Sequence, residues 1–485
     1  MLEGEGMSLI PALIFPLWAA FLAVSCCLPR VRRFGDMLLL KISLALGLAL
    51  GTCSCLFFLK LVVFPLAARG YLLVEATLFL VLTSVFAAAL VYRNRMHPVV
   101  PGSDDPNPAI ADLPVKWRWI LGLGCVLAAT IGLSGSIMWL VLSPHGDWDG
   151  WAIWNTHARF LYRGGEHWAD YVTGLEWTHP DYPLMMPANL ARLWTYAGRE
   201  SLFEHRFLDL LFLAATCGLL AGALARLRSR SQGLLAVMIL ATTGLFLEKG
   251  SSQYSDIPLS YFVLATLALL CVHESSSGCR GLVALAGAAG GFAAWTKNEG
   301  VMFLVAVLAV RCVVIVRACG WRAWGREVLV FCVGLAPALI CLAYFKARLA
   351  PINDLVAGQG PGSTVERLLS PFRYGQIVGA YGLYSILIGP GTVVALGVYY
   401  VLLGKSPRPK HHKGRTSCLL VLAFMLAGYA AAFLITPHNL GWHLTVLDRL
   451  FMQVWPLALF TFFLTVATPE EALAKKAMQE NSRVE

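Results

Sequence analysis

The sequence predicts an all-α polytopic membrane protein with about thirteen transmembrane helices and a long first external loop carrying interfacial helices. Two observations carry this. Of 485 residues, 58% are hydrophobic and only 14% charged, whereas soluble chains carry about 25% charged and 45–50% apolar residues. The apolar residues also gather into runs of roughly twenty, the length a helix needs to cross a hydrocarbon core of about 30 Å, and mean hydropathy is +0.67. A soluble enzyme, a disordered chain and a disulfide scaffold are excluded.

The runs lie near 8–28, 38–64, 71–92, 119–142, 207–226, 233–247, 256–272, 282–296, 300–317, 328–345, 381–402, 417–435 and 449–467. Those within 233–272 and 282–317 are short and interrupted. Residues 1–7 carry two glutamates and no basic residue, unlike a cleavable signal. The net charge of +10 is spread over short clusters: Arg30, Arg32 and Arg33; Arg93, Arg95, Lys116 and Arg118; Arg226, Arg228 and Arg230; Arg280; Arg317, Arg322 and Arg326; Lys405, Arg408, Lys410, Lys413 and Arg415; Lys475 and Lys476. With thirteen spans and an external N-terminus, every cluster falls in the cytoplasm. The basic excess therefore reads as topology, not as a nucleic-acid surface. This parity requires 183–206, interrupted by Pro183, Pro187, Asn189, Arg192 and Arg199, to lie along the outer surface as an interfacial helix. The loops 93–118 and 404–415 read as flexible connectors.

The external side then collects 143–206, 248–256, 295–300, 346–380 and 436–449. Seven of the eleven histidines lie there (His145, His157, His167, His179, His205, His438 and His443) and none of the thirteen cysteines, so the outer face does not rely on disulfides. Cys53 and Cys55, spaced C-x-C within an apolar run, read as packing residues and not as a zinc half-site. Function is expected on the external face.

The first external loop opens GDWDGWAIWNTHARFLYRGG. Asp147 and Asp149 follow directly on a span, amid Trp148, Trp151, Trp154, Trp168 and Trp177; Ile153, His157 and Phe160 fall at helical spacing. An aromatic belt with capping aspartates accounts for part of this pattern. Two aspartates set among apolar rings also suit a general base acting on a hydroxyl. The loop continues to EWTHPDYPLMMP, where His179, Asp181 and Tyr182 are framed by Pro180 and Pro183. A turn needs only the prolines; the three polar tips favour a ligand, and His179 with Asp181 are candidates for a divalent cation.

EKGSSQYSDIPLSYF sets Asp256 at the lip of a span, where Ser255 or Asp256 suits a helix N-cap ahead of Pro258 and where a carboxylate normally has a partner or a role. GGFAAWTKNEG squeezes Lys297, Asn298 and Glu299 between two apolar runs. Lys297 suits either a phosphate or a structural pair with Glu299 or Asp256. In HNLGWHLTVLDRLFMQVWP, Trp442, His443, Asp448 and Arg449 cluster at the outer end of the last span. Arg449 opposes the positive-inside trend, so an anion holds it or it snorkels to lipid phosphates.

Taken together, the acidic motif after a span, HPDYP, SDIPLSYF and AAWTKNEG resemble, in that order, the motifs of GT-C membrane glycosyltransferases. The likeness is to the dolichyl-phosphate-mannose–protein mannosyltransferase and aminoarabinose transferase type, and to a bacterial branch of that superfamily. It covers roughly 119–456. It implies a three-span N-terminal addition (1–118), a catalytic membrane core (119–467, with the external loop 143–206) and a cytoplasmic tail (468–485) that is a short polar helix or a disordered end. It further implies a polyprenyl-phosphate-linked sugar donor within membrane lipid, an unspecified acceptor, no nucleic acid, and no cofactor beyond an optional divalent cation. Asp149 matches the first-loop acid best, with Asp147 second. Lys297 matches the lysine of the later motif and, with Arg449 and His179, would stabilise the departing phosphate. Asp181, Tyr182, Asp256, Glu299 and His443 complete the implied donor site. Two departures stand out: Asp149 is followed by Gly150 and not by a second acid, and His179-Pro180-Asp181 stands where the aminoarabinose branch has Lys-Pro-Pro.

A lipid-linked-sugar flippase or transporter is the competing reading, but it would carry its charges near the bilayer midplane on broken helices. A structural subunit of a polysaccharide-export complex would leave Asp149 and Asp256 without chemical work. Sidedness is directly measurable. In a cysteine-depleted background, a cysteine at Gly164 is expected to react with an impermeant maleimide on intact cells, and one at Gly414 only after permeabilisation.

Overall fold

Apolar segments in a bilayer satisfy their backbone only as helices or closed barrels, and these runs lack the alternation of barrel strands. The computed structural model describes residues 9–29, 34–63, 68–96, 113–276, 279–353, 355, 357, 360–406 and 412–481. The helices are α1 (Leu9–Cys27), α2 (Phe34–Val62), α3 (Ala68–Met96), α4 (Val115–Leu142), α5 (Asn155–Arg163), α6 (Tyr171–Gly174), α7 (Met185–Ala197), α8 (Leu202–Leu227), α9 (Arg230–Ala241), α10 (Gly244–Gly250) and α11 (Asp256–Ser275). They continue with α12 (Arg280–Thr296), α13 (Asn298–Cys319), α14 (Trp321–Arg348), α15 (Pro361–Leu368), α16 (Pro371–Leu387), α17 (Pro390–Leu403), α18 (His412–Ile435), α19 (Leu440–His443), α20 (Leu447–Thr465) and α21 (Pro469–Asn481). Parts of both expected connectors (97–112 and 407–411), the basic residues Arg30, Arg32, Arg33, Arg408 and Lys410, and residues 1–7 lie outside the described residues.

The chain is an all-α polytopic membrane protein. Among the described residues ten helices are long and apolar enough to cross a membrane, or twelve if each of two bent pairs forms one span. The run expected at 282–296 forms α12, whose 17 residues reach about 25 Å, a little less than the hydrocarbon core. The bent pairs are α9–α10, turned by 69°, and α16–α17, turned by 80°. At the first bend Thr242 and Thr243 return their hydroxyls to the carbonyls of Met238 and Ile239, a bonding mode that bends helices. At the second, Pro390 supplies no N–H and follows Gly389 at φ 157°.

Helix α11 is the axis: all residues from Asp256 to Val272 are buried. Around it, α12 meets α14 through glycine. A Cβ at Gly287 would lie 1.9 Å from the Phe331 carbonyl, and one at Gly334 1.8 Å from that of Ala284. Small residues here let two backbones touch, the usual means of packing helices within lipid. The end of the bundle away from the first loop is pinned by Arg311 of α13, which bonds Glu274 of α11 (2.6 Å), Glu327 of α14 (2.7 Å) and Ser417 of α18 (3.2 Å). Helix α21 folds back there through Arg228–Glu471 (3.1 Å) and Ser231–Glu470 (2.6 Å).

The segment 183–206 departs from the expected surface helix. Helix α7 does not cross, but eleven of its thirteen residues are buried. The reason is Arg192, which donates to both oxygens of Glu75 in α3 (2.8 and 3.0 Å) and to the Ala12 carbonyl in α1 (2.8 Å). Tyr71 and Tyr196 donate their hydroxyls to the same carboxylate at 2.6 and 2.7 Å. Four hydrogen bonds and one opposite charge therefore surround a single buried glutamate. Removing one partner of such a pair costs about 3–5 kcal/mol, because the other charge stays buried. Glu75→Gln is expected to lower the thermal midpoint of the detergent-solubilised protein markedly, whereas the exposed Glu166→Gln leaves it unchanged; a fluorescence melt measures both.

Candidate active site

The first loop docks on the turn between α10 and α11. Gly146 (φ 78°) and Gly150 face the Ser252 carbonyl, where a Cβ would come within 2.6 and 2.7 Å of the oxygen. The Asp147 N–H donates to that carbonyl at 3.1 Å. Gln253 adopts φ 60°, a conformation that costs a non-glycine residue about 1–3 kcal/mol. Three bonds hold it there: its N–H to buried Asp209 (3.1 Å), its side-chain amide to the Pro144 carbonyl (3.2 Å), and its side-chain oxygen accepting from Asn155 (2.7 Å). His205 bonds the other end of Asn155. Asp149 thus stands at the start of a π turn, Gly150–Trp154, and Tyr254 stands opposite on the following turn.

Neither expected cap forms. Asp149 makes no side-chain cap bond to its turn, and α11 begins after Ser255 without one. Both carboxylates instead face basic side chains. Asp256, fully buried, accepts from Lys297 (2.9 Å) and Gln453 (2.6 Å) on one oxygen and from Arg449 Nε and an Arg449 terminal nitrogen (both 3.2 Å) on the other. Arg449 reaches on to Asp149 at 2.5 Å and lies over the Tyr254 ring, 4.2 Å from its centroid. Lys297 also meets Glu299 (3.2 Å), which accepts from Gln453 (3.2 Å), while Tyr429 donates to the Gln453 oxygen (2.9 Å). Burial opposes the Lys297 charge, but Asp256 and Glu299 hold its ammonium above the ordinary lysine range. The N-termini of α11 and α13 add positive potential at the same point. The inner pair, Asp256 and Lys297, is 0% and 3% exposed; the outer pair, Asp149 and Arg449, is 15% and 14% exposed. Solvent and ligand meet the outer pair first.

Beside this cluster, Asp181 accepts from Asn298 (2.7 Å) and Asn353 (2.8 Å), and Lys346 donates to its carbonyl (2.5 Å) and to the Asn298 oxygen (2.7 Å). Tyr182 is stacked between Trp154 (5.5 Å, 12°) and His179 (5.3 Å, 16°), with Lys297 at 5.7 Å from its ring. Burial, followed by the nearby carboxylates, raises its hydroxyl well above the usual tyrosine range. His179 and Asp181 thus serve a ring stack and an amide clasp, and among the described residues no group of three His, Cys, Asp or Glu side chains is disposed to hold a metal. Asp147 is exposed and accepts from the Trp148 N–H (2.8 Å). His443 bonds Thr436 (2.8 Å) and packs on Phe433 at the end of α18.

The structure therefore joins Asp149, Asp256, Lys297, Glu299 and Arg449, sets His179, Asp181 and Tyr182 along one flank, and seats His443 against α18. Sequence reasoning missed Gln453, Lys346 and Asn353. Gln453 lies four residues after Arg449 on α20, one helical turn on, and that spacing was the one signal available. The bundle thus brings carboxylates, a lysine and an arginine together at the end that carries the first loop. Residues 178–345 match the family model of dolichyl-phosphate-mannose-protein mannosyltransferases, which supports a membrane glycosyltransferase of the GT-C type. That stretch holds the HPDYP turn, Asp256, Lys297 and Glu299; Asp149 and Arg449 flank it. No curated protein and no solved structure matches the chain.

The glycine contact yields a test. Gly150→Ala pushes a methyl group against backbone and must displace the loop carrying Asp149. Misplacement by about 1 Å costs roughly 10²-fold in rate, so turnover is expected to fall by that order, with a loss of stability of about 1–3 kcal/mol from overpacking beside it.

Proposed function

We propose that the protein transfers a sugar from a polyprenyl-phosphate-linked donor to an acceptor hydroxyl at the extracytoplasmic face, with inversion at the anomeric carbon. The observation that carries this reading is the five-residue charge cluster, assembled from four separate segments at the end of the bundle bearing the long first loop. Asp149, on the more accessible side, takes the acceptor proton as the acceptor oxygen attacks the anomeric carbon. The bond to the phosphate oxygen breaks as the new glycosidic bond forms, and the charge left on the polyprenyl phosphate is met by Arg449 and Lys297. Asp256 and Gln453 hold these two cations in position. In the stack of Trp154, Tyr182 and His179, buried Trp154 and Tyr182 back His179, whose outer ring face is turned to the sugar, and Asp181 is held by Asn298 and Asn353 at the edge. The apolar outer surfaces of the surrounding spans suit the prenyl chain, which need not leave the bilayer. A transporter reading finds no comparable support, because the charged cluster sits at one end of the helices and not halfway along them.

Reconstituted protein supplied with radiolabelled polyprenyl-phosphate sugars is expected to release polyprenyl phosphate only when an acceptor is present. General-base catalysis contributes about 10²–10⁴-fold, so Asp149→Asn should lower turnover by that order while donor binding is not weakened. Lys297→Ala should weaken donor binding as well as turnover, since a phosphate partner acts in both the ground and transition states. Near-normal turnover of Asp149→Asn would remove Asp149 as the base; movement of intact donor across the bilayer without release would favour the flippase.

A further inference from the structure

We infer that the donor phosphate and Asp149 compete for Arg449, so that donor binding itself releases the base. The inference rests on the glycosyl-transfer reading above and concerns the order of events at the same site.

Charge balance is the first ground. Within the cluster two cations, Lys297 and Arg449, face three carboxylates, Asp149, Asp256 and Glu299. Both cations are already engaged, so an arriving phosphate must take one away from a carboxylate. The partners are unequal. Asp256 keeps Lys297 at 2.9 Å and Gln453 at 2.6 Å if Arg449 leaves. Asp149, in contrast, has Arg449 as its ion-pair partner and no other among the described residues. Lys297 is sealed at 3% exposure, whereas Arg449 is at the accessible edge at 14%. Arg449 is therefore the cation a phosphate reaches first, and Asp149 the carboxylate it displaces.

Reaction geometry is the second ground. An inverting displacement has the base and the leaving group on opposite faces of the sugar; in inverting glycosidases the two catalytic groups stand about 6.5–9.5 Å apart. Here the base and the cation that would meet the leaving group touch at 2.5 Å. They must part before a sugar fits between them. Once Arg449 turns to the phosphate, Asp149 is left as an unneutralised carboxylate facing the acceptor hydroxyl. Without donor, the same carboxylate stays paired and does not activate water near the membrane.

Competition has a consequence that simple support would not. Because coupling is reciprocal, removing the competing carboxylate must tighten phosphate binding. With the full-length protein in detergent and a short-chain prenyl phosphate as probe, Asp149→Asn is expected to bind about fivefold or more tighter than wild type. In an Arg449→Gln background, the same substitution should change nothing. Asp147→Asn removes an equal charge two residues away without touching Arg449 and should leave affinity near wild type. Arg449→Lys, which keeps the charge, should retain part of the Asp149→Asn effect. Unchanged or weaker binding by a folded Asp149→Asn protein overturns the competition while leaving glycosyl transfer standing, as does equal tightening by Asp147→Asn. Failure of wild type to bind any prenyl phosphate overturns the functional reading and this inference together.

Discussion

A carboxylate sealed at the head of a helix buried on every side has to be neutralised, and Asp256 determines what stands near it. Its two oxygens take four donated bonds, from Lys297, Gln453 and Arg449. These partners come from the α12–α13 junction and from α20. Breaking such an arrangement by removing one partner costs several kcal/mol, so two distant stretches of chain are locked to the top of α11. Arg449, once held there, is presented to Asp149 at the accessible edge. The buried half of the cluster gives rigidity, and the outer half stands at the accessible edge.

That division shows how far the sequence could be read. Composition and run length gave the fold class because lipid leaves the backbone little choice, and every expected apolar run forms a helix or a bent pair. The polar residues legible as site candidates were those in places where polarity is costly: Asp256 at a span lip, Lys297 and Glu299 between two short runs, Arg449 against the positive-inside trend. Their pairing was not legible, since Arg449 and Asp149 lie 300 positions apart and nothing local links them. Gln453 was passed over because one glutamine in an apolar helix looks like any tolerated polar residue. Arg192 was read as a break in a surface helix; its partner Glu75 sits in a run that looked like an ordinary span.

The long first loop illustrates a different economy of folding. Its two aspartates invited a capping explanation, and the structure gives Asp147 a local bond to the Trp148 N–H (2.8 Å) while directing Asp149 outward from its turn. The left-handed Gln253 and the closely packed Gly146 and Gly150 make that difference possible, because they fix the backbone without using either carboxylate. Strain accepted in a neighbouring turn leaves the Asp149 side chain uncommitted to local structure.

The Glu75–Arg192 contact also bears on how the chain is made. The two residues are 117 positions apart, so at about 5–20 residues per second the ribosome delivers the glutamate roughly 6–23 s before its arginine. During that interval Tyr71, one turn earlier on the same helix, can already bond it, but the opposite charge has not yet been synthesised. The third span is long and apolar enough to cross a membrane by itself, but its buried carboxylate gains its counter-charge only when α7 arrives. A ribosome pause between these two points would lengthen the time that Glu75 spends without its counter-charge.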